Sequence, residues 1–381
     1  GTKALTTFGT AFLVQPINTM GALGTKNLAA EVFDQADAIS GEQFKDRYWE
    51  RDTTCLKCPV ACGKDFKVEE GEFAGTRWKM PEYESIFALG SMLENANAPS
   101  LIKANELCDQ LGVDTISMGV TIAFAMECAE RGLLSARDIG RELRWGDYQA
   151  MLALVEDTAY RRGFGDQLAE GSWRLAERIG SEAFKYLYGV KGLELPAHSA
   201  RALKGMSIGY ATATRGGSHH DTRPTMQYRA DFDHSTIEGK AEYAVQSQHY
   251  TAVGDSLVLC RFTGERGFGL LLNEHFATML NGVTGFGLST ADIERIGERI
   301  INLERAFNVR EGVGRKDDVL PYRVMHEPIP FGPSKGRYCP PDELNHMLDE
   351  YYTLRGWTRD GVPTRERLAA LGLADIAETI S

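Results

Sequence analysis

The chain is organised around one short stretch, which reads Thr54-Cys55-Leu56-Lys57-Cys58-Pro59-Val60-Ala61-Cys62-Gly63. It holds three thiols at the spacing C-x2-C-x3-C, and a proline and a glycine bend the backbone between and after them. A tight loop of this kind can point three sulfurs at one centre, and thiolates are soft ligands that select iron–sulfur clusters or zinc. A disulfide and a structural zinc loop are the alternative interpretations. The stretch therefore predicts a metal centre that takes a fourth ligand from elsewhere in the chain.

The predicted fourth ligand is Cys260, far downstream in Gly254-Asp255-Ser256-Leu257-Val258-Leu259-Cys260-Arg261. Three local thiolates and one distant thiolate would tie two parts of the chain to one cluster. Cys108 and Cys128 lie on apolar faces of predicted helices, where a thiol is usually a core residue. Cys339 stands beside two prolines and is assigned no role.

Composition sets limits on the class of protein. The net charge is −11, which argues against nucleic acid as a partner because phosphate binding needs a basic face. The longest relevant apolar stretch, 115–128, is shorter than the roughly 20 residues that span a bilayer, so no membrane span is expected. Seven irregularly placed cysteines fit a reducing cytoplasm better than a disulfide scaffold. The chain opens on Gly1 without Met, so we expect it to be part of a longer protein.

Periodicity predicts a mostly α-helical protein. Apolar residues recur every three or four positions in several windows, and Asp114, Ser289 and Thr290 stand where helix caps belong. Residues 116–128 are nearly all apolar, so that helix is expected to be buried. A later helix carries an apolar stripe at Ile293, Ile296, Ile300, Leu303 and Phe307. The predicted helices, besides one that begins near Pro81, cover residues 100–112, 114–128, 148–162, 163–179, 289–307 and 341–354. We expect two helical domains, at residues 1–192 and 193–381.

Taken together, the motifs resemble those of the aldehyde ferredoxin oxidoreductase family, the tungsten enzymes, over nearly the whole chain. The resemblance rests on the cysteine triplet with Asp255-x4-Cys260, and on Pro81-Glu82-Tyr83-Glu84, Asp109-Gln110-Leu111-Gly112-Val113-Asp114-Thr115, Thr214-Arg215-Gly216-Gly217-Ser218-His219 and Tyr351-Tyr352-Thr353-Leu354-Arg355-Gly356-Trp357. It implies two helical domains of that family's C-terminal type. In this division the first domain carries the triplet and the first pterin motif, and the second carries the histidine loop, the second pterin motif and the fourth cysteine. The family's β-rich amino-terminal pterin domain is expected to precede them.

The resemblance also implies the cofactors. Cys55, Cys58, Cys62 and Cys260 correspond to the ligands of a [4Fe–4S] cluster, beside a tungsten (or molybdenum) bis-pterin; Mg²⁺ is a further candidate ion. The family has the pattern D-x-x-G-L-D/C twice, once for each pterin.

In this chain the first copy supplies Asp109, Gly112, Val113, Asp114 and the following Thr115, and the second supplies Asp255, Leu259 and Cys260. An aspartate can accept both the ring N–H and the exocyclic amino group of a pterin, a bidentate contact that fixes orientation. Val258 replaces the expected glycine in the second copy. Without the resemblance, Asp109 would be a solvent-facing helix residue and Asp114 a plain helix cap.

Arg215, Gly216 and Gly217 form a compact turn with free N–H groups and a fixed positive charge, which suits close approach to a pterin or a phosphate. The turn precedes the implied catalytic histidine.

By motif, the family's catalytic glutamate and histidine correspond to Glu84 and His219. A carboxylate can act as general base for the attacking water, and an imidazole can donate a hydrogen bond to developing negative charge. Glu82 and His220 are the competing residues at each position. The alternative is a first-turn glutamate that stabilises a helix dipole and a histidine in solvent.

The sequence therefore predicts a cytoplasmic oxidoreductase that converts a small aldehyde to a carboxylic acid. Electrons would pass through the cluster to ferredoxin or to an iron–sulfur partner subunit, in an assembly expected to be oligomeric. The alternatives are the catalytic subunit of a benzoyl-CoA reductase from the same family, and a non-enzymatic helical scaffold that binds zinc at the triplet.

Overall fold

Helices account for most of the regular structure, and the strands are few and short. A computed structural model describes residues 2–229, 232–269 and 271–380, except for the side chains of residues 266 and 267. The helices are α1 (Lys3–Phe8), α2 (Val14–Met20), α3 (Gly41–Tyr48), α4 (Tyr83–Leu89), α5 (Ala98–Leu111), α6 (Thr115–Glu130), α7 (Ala136–Ile139), α8 (Tyr148–Ala159), α9 (Gly165–Leu168), α10 (Gly171–Ile179), α11 (Lys204–Thr212), α12 (Lys240–Ser256), α13 (Arg261–Phe268), α14 (Glu274–Thr284), α15 (Thr290–Arg310), α16 (Tyr322–His326), α17 (Pro341–Arg355), α18 (Arg365–Ala370) and α19 (Ala374–Ala377). The strands are β1 (Trp49–Thr53), β2 (Gly63–Lys67), β3 (Arg77–Lys79), β4 (Gly189–Val190) and β5 (Leu193–Glu194). The mostly α prediction is confirmed.

The chain divides into two compact units. Unit 1 comprises Gly1–Ala202 and Pro321–Tyr338, and unit 2 comprises Leu203–Leu320 and Cys339–Ser381. The sequence-based boundary after residue 192 falls inside unit 1, and periodicity did not anticipate the returning segment. That segment is joined to unit 1 through Arg323, whose guanidinium lies 2.8 Å and 2.9 Å from the two carboxylate oxygens of Glu127. Because Arg323 and Glu127 lie far apart in the sequence, no periodic pattern of residues predicts their contact.

In unit 1 the nearly all-apolar α6 is buried, as predicted. Asp114 caps it by accepting a hydrogen bond from the Ser117 N–H at 2.7 Å. Helix α6 packs closely on α4, and a Cβ at Gly119 would overlap the backbone of Ala88. This close approach fixes α4, which carries Glu84, against the buried core.

One predicted helix is two helices in the structure. The segment 163–179 breaks between α9 and α10 at Gly171, whose φ of 84° lies in the left-handed region. Glu194 accepts the Ser172 N–H at 2.8 Å, which satisfies a backbone donor at the start of α10.

In unit 2, α12 packs against α15 and α17. The predicted cap of α15 is confirmed, since Ser289 and Asp292 form a capping box. The buried face differs from the apolar stripe read from the sequence, because Ile296, Leu303 and Phe307 are exposed. Gly297 faces α12 instead, where an added Cβ would lie 2.7 Å from the carbonyl oxygen of His249.

Within the described part of the chain, each helix taken alone is too short or too polar to cross a membrane. Helices α5 and α6 reach the length and apolar composition of a membrane span only when they are taken together, and a bend of 116° separates them.

Candidate functional site

The cysteine triplet lies in the loop that joins two antiparallel strands. Strands β1 and β2 pair with Thr53 opposite Gly63, so residues 54–62 form the connection between them. Inside it, the Cys58 N–H donates to the Cys55 carbonyl at 3.0 Å, and Lys57 and Ala61 have positive φ values of 58° and 48°. The loop therefore turns tightly around its cysteines. The sequence predicted the loop but not the strands that frame it.

Accessibility separates the loop cysteines from the core cysteines. Cys55 is exposed, Cys58 and Cys62 are half-buried, and none of the seven cysteines, all of which are described, forms a disulfide. Burial raises the pKa of Cys108 and of Cys128 to about 12, and that of Cys339 to about 11. Because metals bind the thiolate, these buried thiols are unsuited to ligation at neutral pH. The accessible thiols of the loop, a soft donor set, fit an iron–sulfur cluster or zinc.

The first predicted pterin motif is a turn between two helices. Helix α5 ends at Leu111, Gly112 adopts the left-handed conformation with φ of 70°, and the Val113 N–H donates to the Cys108 carbonyl at 2.8 Å. Asp114 then stands at the N-cap of α6 with φ −66° and ψ 127°. Asp114 is therefore a helix cap, which is the role expected for it without the family resemblance.

The second motif has the same backbone geometry. Val258 adopts the left-handed conformation with φ of 54°, and the Leu259 N–H donates to the Gly254 carbonyl at 2.8 Å. Cys260 stands at the N-cap of α13 with φ −63° and ψ 134°, the place that Asp114 holds in the first motif. Cys260 is exposed, as a ligand from this position would need to be. The missing glycine therefore has not changed the turn.

Each motif aspartate contacts a neighbouring cation. Asp109 accepts from the Trp78 indole N–H at 2.8 Å and lies 2.9 Å from Lys79 Nζ, both on β3. Asp255 lies 2.5 Å from Arg261 Nη2. Both carboxylates are partly accessible, so they fit a ligand with paired donors if that ligand displaces or shares these contacts. Thr115, after the first motif, hydrogen-bonds through its hydroxyl to Ser85 at 2.8 Å.

Glu84 lies in the first turn of α4 and is 16% exposed. Its Oε2 accepts the Ala197 N–H at 2.7 Å, and its Oε1 lies 3.2 Å from Nε2 of His198. Glu82 is exposed as a residue, but its carboxyl accepts from the Thr10 hydroxyl, and desolvation raises the pKa of that carboxyl. Glu84 is the less exposed residue of the two. No motif in the sequence marks His198.

In unit 2, the Arg215 turn is tied to a buried aspartate. Asp221 Oδ1 accepts from Arg215 Nε at 3.1 Å and from Nη2 at 2.9 Å, and Gly216 has a φ of 101°. Burial raises the pKa of Asp221, and the Arg215 charge opposes that rise. Arg215 thus stabilises its own loop, in which Gly216 and Gly217 are buried.

The two adjacent histidines differ in environment. His219 is buried and its carbonyl accepts from Arg223 Nη1 at 3.1 Å, whereas His220 is exposed; their ring centroids are 4.1 Å apart. Arg223 is itself in a buried ion pair with Glu265. Glu84 lies in unit 1 and His219 in unit 2, so their pairing stays a prediction. The same holds for Cys260 and the loop cysteines.

The chain is similar to a known protein family and to several known proteins. The family described as "Aldehyde ferredoxin oxidoreductase, domains 2 & 3" matches residues 1–373. The chain is 41% identical over 378 residues to the "Tungsten-containing aldehyde ferredoxin oxidoreductase" of Pyrococcus furiosus, covering 97% of this chain and 60% of that protein. The protein of the same name from Thermococcus kodakarensis gives the same values. The chain thus spans about 60% of the length of these relatives.

Two further matches are more distant. An "Aliphatic sulfonate oxidoreductase, WOR-like subunit" of Pyrococcus furiosus is 31% identical over 360 residues, covering 91% of this chain and 54% of that protein. The solved structure "Active site complex BamBC of Benzoyl Coenzyme A reductase in complex with 1,5 Dienoyl-CoA" aligns with a TM-score of 0.73 at 19% identity, covering 96% of this chain and 59% of that one. The latter match shows the fold alone.

Proposed function

The chain belongs to the aldehyde ferredoxin oxidoreductase family, an oxidoreductase family, and on that premise we propose that the whole protein oxidises aldehydes to carboxylic acids at a tungsten bis-pterin centre. The observation that carries the proposal is the placement of Glu84. Its carboxylate stands at the start of α4, partly accessible, with both oxygens at hydrogen-bond distance from neighbours. This arrangement suits a general base.

The residues present fit the implied cofactors. Cys55, Cys58, Cys62 and Cys260 would hold the [4Fe–4S] cluster, since they are the accessible thiols of the chain. The two helix–turn–helix motifs would each hold one pterin, through Asp109 and Asp255 and through the backbone of the turns that follow them. The Arg215 turn would lie against the pterin cofactor, and Mg²⁺ is a further candidate ion. When bound, these cofactors would supply the acceptor for the two electrons of the reaction and a route for them to ferredoxin or to an iron–sulfur subunit.

The chain's own residues supply the proton chemistry. The net reaction converts RCHO and H₂O to RCOO⁻, with release of three protons and two electrons. Glu84 takes a proton from the water that attacks the carbonyl carbon. His219 donates a hydrogen bond to the substrate oxygen as negative charge develops there.

Replacement of Glu84 by Gln in the full-length protein tests the base. We expect kcat for aldehyde oxidation to fall by about 10³-fold, within the range for a general base, while tungsten and iron contents stay at wild-type values. Glu82→Gln is the matched comparison, because Glu82 is the competing carboxylate two residues away. Full activity in Glu84→Gln, or a selective loss in Glu82→Gln, would show that the assignment is wrong.

A further inference from the structure

His198 is a buried histidine that the mechanism above does not use. It is 4% exposed and follows β5 in unit 1. Its Nε2 lies 3.2 Å from Glu84 Oε1, and the N–H of the preceding Ala197 donates to Glu84 Oε2 at 2.7 Å. Two consecutive residues of one segment therefore contact both oxygens of the proposed base.

This segment is held firmly by buried charge. Ser199 Oγ and Arg201 Nε both contact Glu31 Oε1, at 2.8 Å and 3.0 Å, and the side chains of Arg201 and Glu31 are 1% and 0% exposed. His198 also pairs through its backbone with Leu23. A segment anchored at the contact and directly after it keeps its donors in place, which is what preorganisation requires.

The imidazole ring of His198 has an aromatic neighbour. It packs against the ring of Tyr83, the residue before Glu84, with centroids 5.7 Å apart and an interplanar angle of 41°. The orientation of His198 and that of Glu84 are thus set by the same few residues.

We propose that His198 is a positioning residue for the reaction: its Nε2, 3.2 Å from Glu84 Oε1, is placed to donate to that oxygen and so keeps the carboxylate aimed. The inference rests on the proposed function. A carboxylate offers about four acceptor sites, of which the Ala197 N–H uses one and the proposed His198 donor would use a second. Lone pairs remain for the attacking water, while rotation of the carboxylate is prevented.

Two variants of the full-length protein test the donor. His198→Phe keeps a ring against Tyr83 but removes the donor, and we expect kcat to fall by about 100-fold with KM little changed, since a base-orienting group acts on the chemical step. His198→Gln keeps an N–H near the position of Nε2, and we expect its kcat to lie within about tenfold of the wild type. Tungsten and iron contents should match the wild type in both.

His346 provides a matched control. Its Nε2 lies 3.2 Å from Glu350 Oε1, the same separation, but both side chains are exposed on α17. His346→Phe should leave kcat within about twofold of the wild type, because an exposed pair contributes little. Wild-type kcat in His198→Phe would overturn the proposal. Equal losses in His198→Phe and His198→Gln would overturn it too, since they would show that the hydrogen-bond donor is not what matters.

A measurement without turnover separates this inference from the proposed function. The unfolding temperature is measured for His198→Phe, Glu84→Gln and the double variant. If the two side chains are coupled, the shift caused by His198→Phe becomes smaller in the Glu84→Gln background. Additive shifts would contradict the pairing. An unaltered kcat in Glu84→Gln, by contrast, would contradict the proposed function whatever the coupling.

Discussion

At the scale of single residues, Val258 adopts a backbone conformation that usually requires glycine. The second pterin motif lacks the glycine of the first, yet its turn has the same left-handed geometry, with φ of 54° at Val258 and 70° at Gly112. A β-branched residue is strained in this conformation, by about 1–2 kcal/mol. Its side chain is 91% exposed, so burial offers no compensation. The need for the turn has thus outweighed the local preference of valine.

Val258→Asn should therefore stabilise the protein. Asparagine adopts the left-handed region far more readily than valine, and we expect the free energy of unfolding to rise by about 1 kcal/mol. Calorimetric melting of the full-length protein measures the change. Val283→Asn is the control, since Val283 is 88% exposed at the end of α14 and should shift stability by less than about 0.5 kcal/mol. Equal effects at both positions would contradict the strain argument.

At the scale of elements, the site depends on the contact between α4 and α6. Gly119 lets α6 approach until an added Cβ would overlap the Ala88 backbone. Backbone cannot move aside as a flexible side chain can, so the helices must separate to accept any larger residue.

Gly119→Ala should destabilise unit 1 by about 2–3 kcal/mol and lower kcat, because α4 carries Glu84. Gly282→Ala in α14 is the control, since a Cβ there meets open space. Alanine has the higher helix propensity, so this change should stabilise by roughly 0.5–1 kcal/mol. Melting temperature and kcat report both effects; a stabilised Gly119→Ala would refute the close packing.

The elements also show which features the sequence could predict. The caps at Asp114 and Ser289 and the buried α6 followed from local patterns, which depend on neighbours three or four residues away. The exposed face of α15 was not predictable, because Gly297 lets α12 approach on a side that hydrophobicity does not mark. His198 was missed for a related reason, since its contact with Glu84 joins residues far apart in sequence.

At the scale of the whole molecule, the chain leaves unit 1 after Ala202 and returns to it at Pro321–Tyr338. The returning segment carries Arg323, which is buried and contacts both oxygens of Glu127 and the Asn27 carbonyl. Arg131 contacts the same carboxylate at 3.1 Å but is half-exposed. One carboxylate thus has a buried and a surface partner.

Arg323→Gln should destabilise unit 1 by about 3–5 kcal/mol, because it leaves the Glu127 charge buried with too little compensation. Arg131→Gln should cost no more than about 1 kcal/mol, as is usual for exposed pairs. Thermal unfolding of the two variants compares them directly. Similar losses would show that the returning segment does not depend on this ion pair.

The central claim is that the cysteine loop and Cys260 bind one iron–sulfur cluster. Iron and acid-labile sulfide, with the electron paramagnetic resonance signal of the reduced cluster, should be measured in the full-length wild type and in Cys260→Ala and Cys339→Ala. We expect roughly four irons per chain and a reducible cluster in the wild type and in Cys339→Ala, with loss of that cluster in Cys260→Ala. A wild type that contains zinc alone, or a cluster that survives intact in Cys260→Ala, would contradict it.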